Sequence, residues 1–382
     1  MEDRLEQLLA ELVACDSVNP AWSEGPGEKS AAKFIASELS SAGVTPAVQD
    51  SGSGRANVVA TIPGAGGAPS VLLNAHMDVV GTENMDDPFT LRRDGDKLYG
   101  RGAYDMKGSA AIMLALAEHF SDHLPPGDIH LTFVVDEEDL SLGMERLIDD
   151  WLPTLPQLPS AGIFMEPTEE QIGICHKGFA WYELTIAGKS AHGSRPEEGV
   201  DAAQPLGPAI AEIAEIQSEL HARAPHPLLG HATLHVGTVK GGSALPVIAA
   251  ESRLTWERRI LPGEEKEDLN RELKRVADAA NAFPGNHSVD SKELFYRPSH
   301  SLDADAEIVL RLQSVAPSAE LKGMSYWADS ALAAAAGIPS VLFGPVGHGA
   351  HAVDEWVSLS SLVRVYESLQ KLISSMDQSS VN

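Results

Sequence analysis

The sequence predicts an α/β protein: a mostly parallel sheet with helices on both faces, carrying an inserted α+β domain of ferredoxin-like type. Three observations predict it. Short, near-continuous apolar runs alternate with helical patterns toward both ends of the chain, as parallel strands buried on both faces do. Four runs in the middle instead alternate apolar and polar residues, the mark of a sheet with one wet face. The chain has 382 residues, 43% of them hydrophobic, enough for two cores.

The elements follow in order. Leu5, Leu8, Leu9, Leu12 and Val13 repeat at helical spacing. A second helix over residues 30–43 stops at Gly43. Strand-like runs come next at 57–62, 70–75 and 128–136, with the helix "GSAAIMLALAEHF" (108–120) between the last two. "AGIFME" (161–166) is a further strand. The alternation resumes after residue 300, with helices near 303–315, 330–337 and 359–374 and a strand at 339–344. In the middle, the half-wet strands are 181–188, 232–239, 250–260 and 286–296, and helices fill roughly 201–222 and 264–282. That β-α-β-β-α-β order is a split βαβ module. The expected division is 1–176 with 298–382 as one domain and 177–297 as the insertion.

Charge narrows the function. With 28 Lys and Arg against 55 Asp and Glu, the net charge is 28 − 55 = −27. Such an exterior argues against nucleic acid, whose phosphates need cations, and against an anionic membrane surface. Two cysteines, Cys15 and Cys175, form no readable disulfide framework. The amphipathic N-terminus lacks the basic and apolar regions of a signal peptide, and no apolar run reaches about 18 residues. A cytoplasmic protein is expected.

Polar residues at the ends of apolar strands carry the chemistry. "SVLLNAHMDVV" (70–80) ends in His76 and Asp78, which share a strand face. Ligand sites in open α/β sheets lie beyond the carboxyl ends of strands, although a core His beside a turn Asp looks the same. Asp105, in "GRGAYDMKG", opens a helix, where it equally suits an N-cap. "FVVDEED" crowds Asp136, Glu137 and Glu138 together. Such carboxylates repel unless a cation relieves them. Glu137 and Glu138 face opposite sides in extended geometry, so one could bind metal while the other reaches a water. Glu166 ends a strand before Pro167, and "FGPVGHGAHAVDEWV" places His348 and His351 in a Gly-rich loop. Imidazole and carboxylate ligands without thiolate suit Zn²⁺, Mn²⁺ or Co²⁺. Two His with three or more carboxylates suit two ions about 3.5–4 Å apart that share a carboxylate.

The order H-x-D, D, E-E, E, H resembles the co-catalytic di-zinc amidohydrolase and exopeptidase family of acetylornithine deacetylase, succinyl-diaminopimelate desuccinylase, aminoacylase and bacterial glutamate carboxypeptidase. "HMDVV", "GRGAYDMKG", "DEE", "MEPT", "GKSAHGSRPEEGVDA", "RRILPGE" and "HAVDEWV" match its motifs in its order, over nearly the whole chain. The resemblance implies two Zn²⁺, with Co²⁺ or Mn²⁺ as substitutes. His76 and Glu166 would hold one ion, Glu138 and His351 the other, and Asp105 would bridge them. Asp78 would orient the His76 ring. Glu137 would be the general base, passing a proton from the attacking water to the leaving amine. The insertion would be a lid and homodimerisation domain. Its His192 would stabilise the oxyanion in the partner's site, and its Arg259 would bind the substrate carboxylate.

One stretch departs from the pattern. In "GGSALPVIA" (241–249), Pro246 stands where the family carries an Asn and Ala249 where it carries a Pro. Pro246 has no side-chain amide and no N–H, so substrate recognition there differs. Glu166, where other branches carry Asp, resembles the deacylase and carboxypeptidase members. The implied reaction is hydrolysis of the amide of an N-acyl amino acid, deacetylase-like. The alternative is a carboxypeptidase or aminoacylase acting on peptides or bulkier N-acyl amino acids. A metal-free binding protein is the remote alternative. A lost base or ligand would mark it, yet Glu137, all five ligand positions and His192 are present. Tyr326 and Trp327 are either pocket-lining or core aromatics.

Overall fold

A computed structural model describes residues 1–52, 54–82 and 84–376. The chain forms two compact units. One comprises Met1–Ile174, Leu302–Lys322 and Ala328–Asn382, the other Cys175–Ser301 and Gly323–Trp327.

The first unit is built on a mostly parallel sheet. Strands Ile129–Val134, Val71–His76, Ala161–Phe164 and Ser340–Leu342 lie side by side in that order, each parallel to the next. The first three are buried along their whole length, which is why they read as unbroken apolar runs. Antiparallel strands complete the edges. Arg55–Ile62 runs against Ile129–Val134, and Pro46–Gly52 runs against Arg55–Ile62. The expected parallel character therefore holds for the centre, where the site lies. The edge strand Pro46–Gly52 escapes the sequence pattern because it is largely exposed and rich in turn formers.

Helix Gly108–Asp122 is buried continuously from Gly108 to Ala117. Small residues on every face let it pass through the middle of the unit, packed by helices Glu2–Ala14 and Leu359–Ser374. A second, four-stranded sheet was not expected. Hairpin Arg92–Asp94/Lys97–Tyr99 pairs with Trp356–Ser358, which in turn pairs with Gly347–His348. These strands are two or three residues long, too short for periodicity to register.

The second unit contains an all-antiparallel sheet of strands Thr233–Gly241, Glu251–Ile260, Gly178–Ala187 and Ser288–Arg297, in that spatial order. Helices Leu206–Ala222 and Lys266–Asn281 supply Ile213, Ile216, Leu220, Leu269 and Val276 to a core shared with Tyr182, Leu184, Ile186, Leu254 and Trp256. Chain order and strand order together make the ferredoxin-like arrangement. Among the described residues, no helix is long and apolar enough to cross a membrane.

Candidate metal and catalytic centre

Three neighbouring parallel strands deliver polar residues at the same end of the sheet. His76 is the last residue of its strand. Glu137 and Glu138 follow Ile129–Val134 on one side of it, and Glu166 follows Ala161–Phe164 on the other. His351 lies in the loop between the short strands Gly347–His348 and Trp356–Ser358. Asp105 comes from the irregular turn Ala103–Lys107 that precedes helix Gly108–Asp122. It does not cap that helix.

His76 is 1% exposed. Its Nδ1 lies 2.9 Å from the main-chain oxygen of Asp78, whereas the Asp78 carboxylate stands 3.6 Å away, beyond a hydrogen bond. With Nδ1–H donating there, Nε2 is turned to Asp105 Oδ1 at 3.1 Å and Glu166 Oε2 at 4.0 Å; in the metal-free protein it carries a proton and donates to Asp105, and without that proton its lone pair is free for a cation. The second oxygen of Asp105 faces His351 Nε2 at 3.4 Å, and Glu138 Oε2 lies 2.9 Å from that same nitrogen. One carboxylate thus offers one oxygen to each imidazole. His76, Glu137 and Glu166 bring ligand atoms within metal-binding distance of one another, as do His76, Asp105 and Glu138.

The charges fit cations as well as the distances do. Burial, with Glu166 beside it, pushes the Glu137 carboxyl well above the ordinary range. Burial also raises Glu166 to about 8 and Glu138 to about 7, with neighbouring carboxylates adding to the effect. His351 is pushed up to about 10 by Asp105 and Glu138. Asp105 would also rise through burial, but hydrogen bonds from His351 and His76 hold it below the usual carboxylate range. Protons therefore stand in for positive charge in a cluster of carboxylates that low dielectric would otherwise drive apart. Two divalent ions would satisfy the same demand.

The Asp78 side chain has other work. It is 1% exposed and accepts from the main-chain N–H of Glu137 and of Glu138, both at 3.1 Å, and from Asn19 Nδ2 at 2.8 Å. It holds the loop that presents the two glutamates, while its carbonyl orients the His76 ring.

Glu355 escaped the sequence reading as a site residue. Its carboxylate is buried and accepts from Arg101 Nη1 at 2.7 Å and from the main-chain N–H groups of Gly102, Tyr104 and Asp105 at 2.9, 2.9 and 3.0 Å. It clamps the turn that carries Asp105, and it sits four residues after His351. The available signal was a Glu immediately before the apolar pair Trp356–Val357.

His192 and Arg259 belong to the second unit. His192 is exposed, and its Nδ1 accepts from the Ser194 N–H at 3.2 Å. Arg259 Nη2 donates to the Ser325 carbonyl at 3.1 Å, and its guanidinium lies 5.5 Å from the Phe179 ring centroid. Trp327 donates to the Pro298 carbonyl at 2.9 Å and stands edge-on to His176 and Phe179, an aromatic cluster within that unit. Pro246 accepts from Gly193 N at 2.8 Å and Ile248 donates to Ala191 O at 2.9 Å, so the altered stretch is strapped to the loop that carries His192.

A sequence profile of Peptidase family M20/M25/M40 matches residues 72–375. A peptidase M20 domain-containing protein of Schizosaccharomyces pombe is 29% identical, over 97% of this chain and 84% of its own length. The acetylornithine deacetylase of Proteus mirabilis is 27% identical, over 84% of this chain and 82% of its own. Among solved structures, a tripeptidase from Staphylococcus aureus superposes with a TM-score of 0.79 at 21% identity, covering 99% of both chains. A Bacillus subtilis protein described as a dinuclear metal-binding peptidase gives 0.73 at 17%, covering 98% of this chain and 97% of its own.

Proposed function

The chain belongs to peptidase family M20/M25/M40 and is a metal-dependent hydrolase, and from that premise we propose that it cleaves the amide bond of an N-acyl amino acid, with two Zn²⁺ as its natural cofactors. The observation that carries the reading is the divided carboxylate of Asp105, one oxygen to His76 and one to His351. When bound, the two ions activate the attacking water and polarise the scissile carbonyl.

The residues divide the remaining work. His76 with Glu166, and His351 with Glu138, would hold one ion each, and Asp105 would be shared between them. Glu137 accepts the proton of the attacking water on its carboxylate and returns it to the departing amine, which would otherwise leave as a poor anion. His192 for the developing oxyanion and Arg259 for the substrate carboxylate are assigned on their motifs.

The second unit serves, in this reading, as a lid and as the contact of a homodimer. Support for the dimer comes from strand Thr233–Gly241, an edge of its sheet that is exposed along its second half. Cys15 and Cys175 are both unpaired, which fits a cytoplasmic setting.

A second reading, cleavage of a C-terminal residue or of a bulkier N-acyl group, is favoured by Pro246, which removes the amide expected at that wall. A hydrolysis screen separates the two. N-acetyl, N-succinyl, N-formyl and N-aroyl amino acids and short peptides are offered to the metal-loaded protein, with Glu137→Gln as the blank. Turnover confined to small acyl groups supports the deacetylase reading. Turnover confined to peptides or bulky acyl groups moves the assignment to the second. Glu137→Gln should lose about 10²–10⁴-fold in kcat while still binding metal; full turnover by that variant would remove Glu137 as the base.

A further inference from the structure

The family profile begins at residue 72, yet a segment well before it is wired to the loop that carries Glu137 and Glu138. Asn19 is fully buried. Its Nδ2 donates to Asp78 Oδ2 at 2.8 Å and to Asp136 Oδ1 at 3.0 Å, spending both N–H bonds of one amide on two carboxylates. Its own Oδ1 accepts from Ala21 N at 3.0 Å, and its main chain is tied to Val79 at 2.9 Å. Trp22, three residues on, donates its indole N–H to the Glu138 carbonyl at 2.9 Å. Glu28, also fully buried, accepts from Asp136 N at 3.2 Å and pairs with Arg55, which in turn holds Asp136 Oδ1 at 2.6 Å. Residues 19–28 therefore touch Asp136 and Glu138 directly, and reach Glu137 through Asp78.

That loop needs holding. Asp136 sits at φ +69°, a left-handed conformation that costs a non-glycine residue free energy and persists only where its surroundings enforce it. Asp78 and Asp136 are each 1% exposed, and two acceptor-only carboxylate groups sharing a buried space need donors between them. A neutral side chain with two donors on one atom draws them together without adding charge. A carboxylate there would add a third acceptor. A hydroxyl would reach only one partner.

We propose that Asn19 is a positioning residue for the reaction: by bridging Asp78 and Asp136 it sets the main-chain N–H groups of Glu137 and Glu138 and so aims the base and its neighbouring ligand. The inference rests on the reading of Glu137 as base and Glu138 as ligand. Asn19 acts through Asp78 and touches neither substrate nor ion.

Two variants test it. Asn19→Ser retains an oxygen able to accept from Ala21 N, as N-cap serines do, but cannot span two carboxylates. Asn19→Asp keeps the shape and the cap and loses both donors. Each is titrated with Co²⁺ and followed by its visible absorption, a readout independent of turnover, and each is assayed on whichever N-acyl amino acid or peptide the wild type hydrolyses. The expected result is Co²⁺ affinity and kcat both lower by about 10–100-fold, the range for partners that orient metal ligands, with KM within about twofold because the substrate contacts are untouched. A residue of purely structural importance would lower the melting temperature of the metal-free protein and leave Co²⁺ affinity and kcat alone; that outcome in both variants overturns the proposal. Should Asn19→Ser not fold, Asn19→Asp decides by the same measurements. Trp22→Phe, at an exposed position, removes one brace and should show a smaller loss of the same two quantities. Wild type that takes up no Co²⁺ would sink the metal-centre reading and this inference with it. Equal affinity and kcat in wild type and variants would sink the inference alone.

Discussion

His76 illustrates how one buried residue depends on a main-chain atom. Its role follows from where its other nitrogen points: Nδ1 against the Asp78 carbonyl leaves Nε2 for the carboxylates. The residue types were legible in the sequence, because a His and an Asp at the end of an apolar strand are conspicuous. The division of labour inside Asp78 was not, since i, i+2 spacing says that two side chains share a face but not which oxygen meets which donor. The same cluster predicts proton-linked metal uptake. In the metal-free protein His351 is raised to about 10 and Glu166 to about 8, so both are protonated at neutral pH. His76 is raised well above the ordinary imidazole value by Asp105 and the neighbouring carboxylates, so ligands must shed those protons and metal binding at pH 7 should release at least two per chain. Calorimetry in buffers of different ionisation enthalpy measures the number; none released would contradict the assignment of these ligands. The stability of the metal-free protein carries a matching sign. The pairing of His351 with Asp105 and Glu138 stabilises fully below the ordinary imidazole value and is lost as pH rises through about 10. Burial of Glu166 increasingly opposes folding as pH rises from its ordinary value of 4.5 through about 8. Both act in one direction, so metal-free melting temperatures should fall from pH 6 to 9, and metal-loaded ones should fall less.

At the scale of elements, the small sheet made of Lys97–Tyr99, Trp356–Ser358 and Gly347–His348 is what makes the His351 loop definite. Tyr99 pairs with Trp356 and Gly347 with Val357, which brackets residues 349–355 between strands. Read as sequence, the stretch is a Gly-rich loop and nothing more. Glu355 then joins that loop to the Asp105 turn through four hydrogen bonds. Glu355→Gln offers fewer acceptor sites and places an amide N–H against main-chain donors. The expected loss in Co²⁺ affinity is about 10–100-fold, with a stability loss of about 3–5 kcal/mol because Arg101 is left buried without its partner. Arg101→Met separates the two effects. It should also destabilise, but Glu355 keeps its three main-chain donors, so Co²⁺ affinity should stay near that of wild type. Equal affinity losses in both variants would mean that the ion pair, and not the turn clamp, matters to the site.

For the molecule as a whole, the testable quantity is assembly. Strand Thr233–Gly241 presents unpaired main-chain groups along one side, and Val239 is 53% exposed. A second copy adding its own strand there would cover both. Sedimentation velocity should find a dimer, and Val239→Asp should weaken it by placing like charges across a two-fold contact. A dimer indifferent to Val239→Asp would move the contact elsewhere, and monomeric wild type would remove it.

The sequence by itself determined the kind of most of the longer elements, the two larger sheets, and the candidates for metal ligation. These follow from periodicity and from polar residues stranded at the ends of apolar runs, both of which are local properties. Only the tertiary structure decided which atoms meet. It set three strands in the order that surrounds His76, built a sheet from strands too short to announce themselves, and enlisted Asn19, Asp78 and Glu355 as supports. Those roles depend on contacts across 59 residues from Asn19 to Asp78 and 250 from Asp105 to Glu355. A hydrogen bond between such distant positions leaves no period in the chain, so it becomes visible only once the backbone has brought its two ends together.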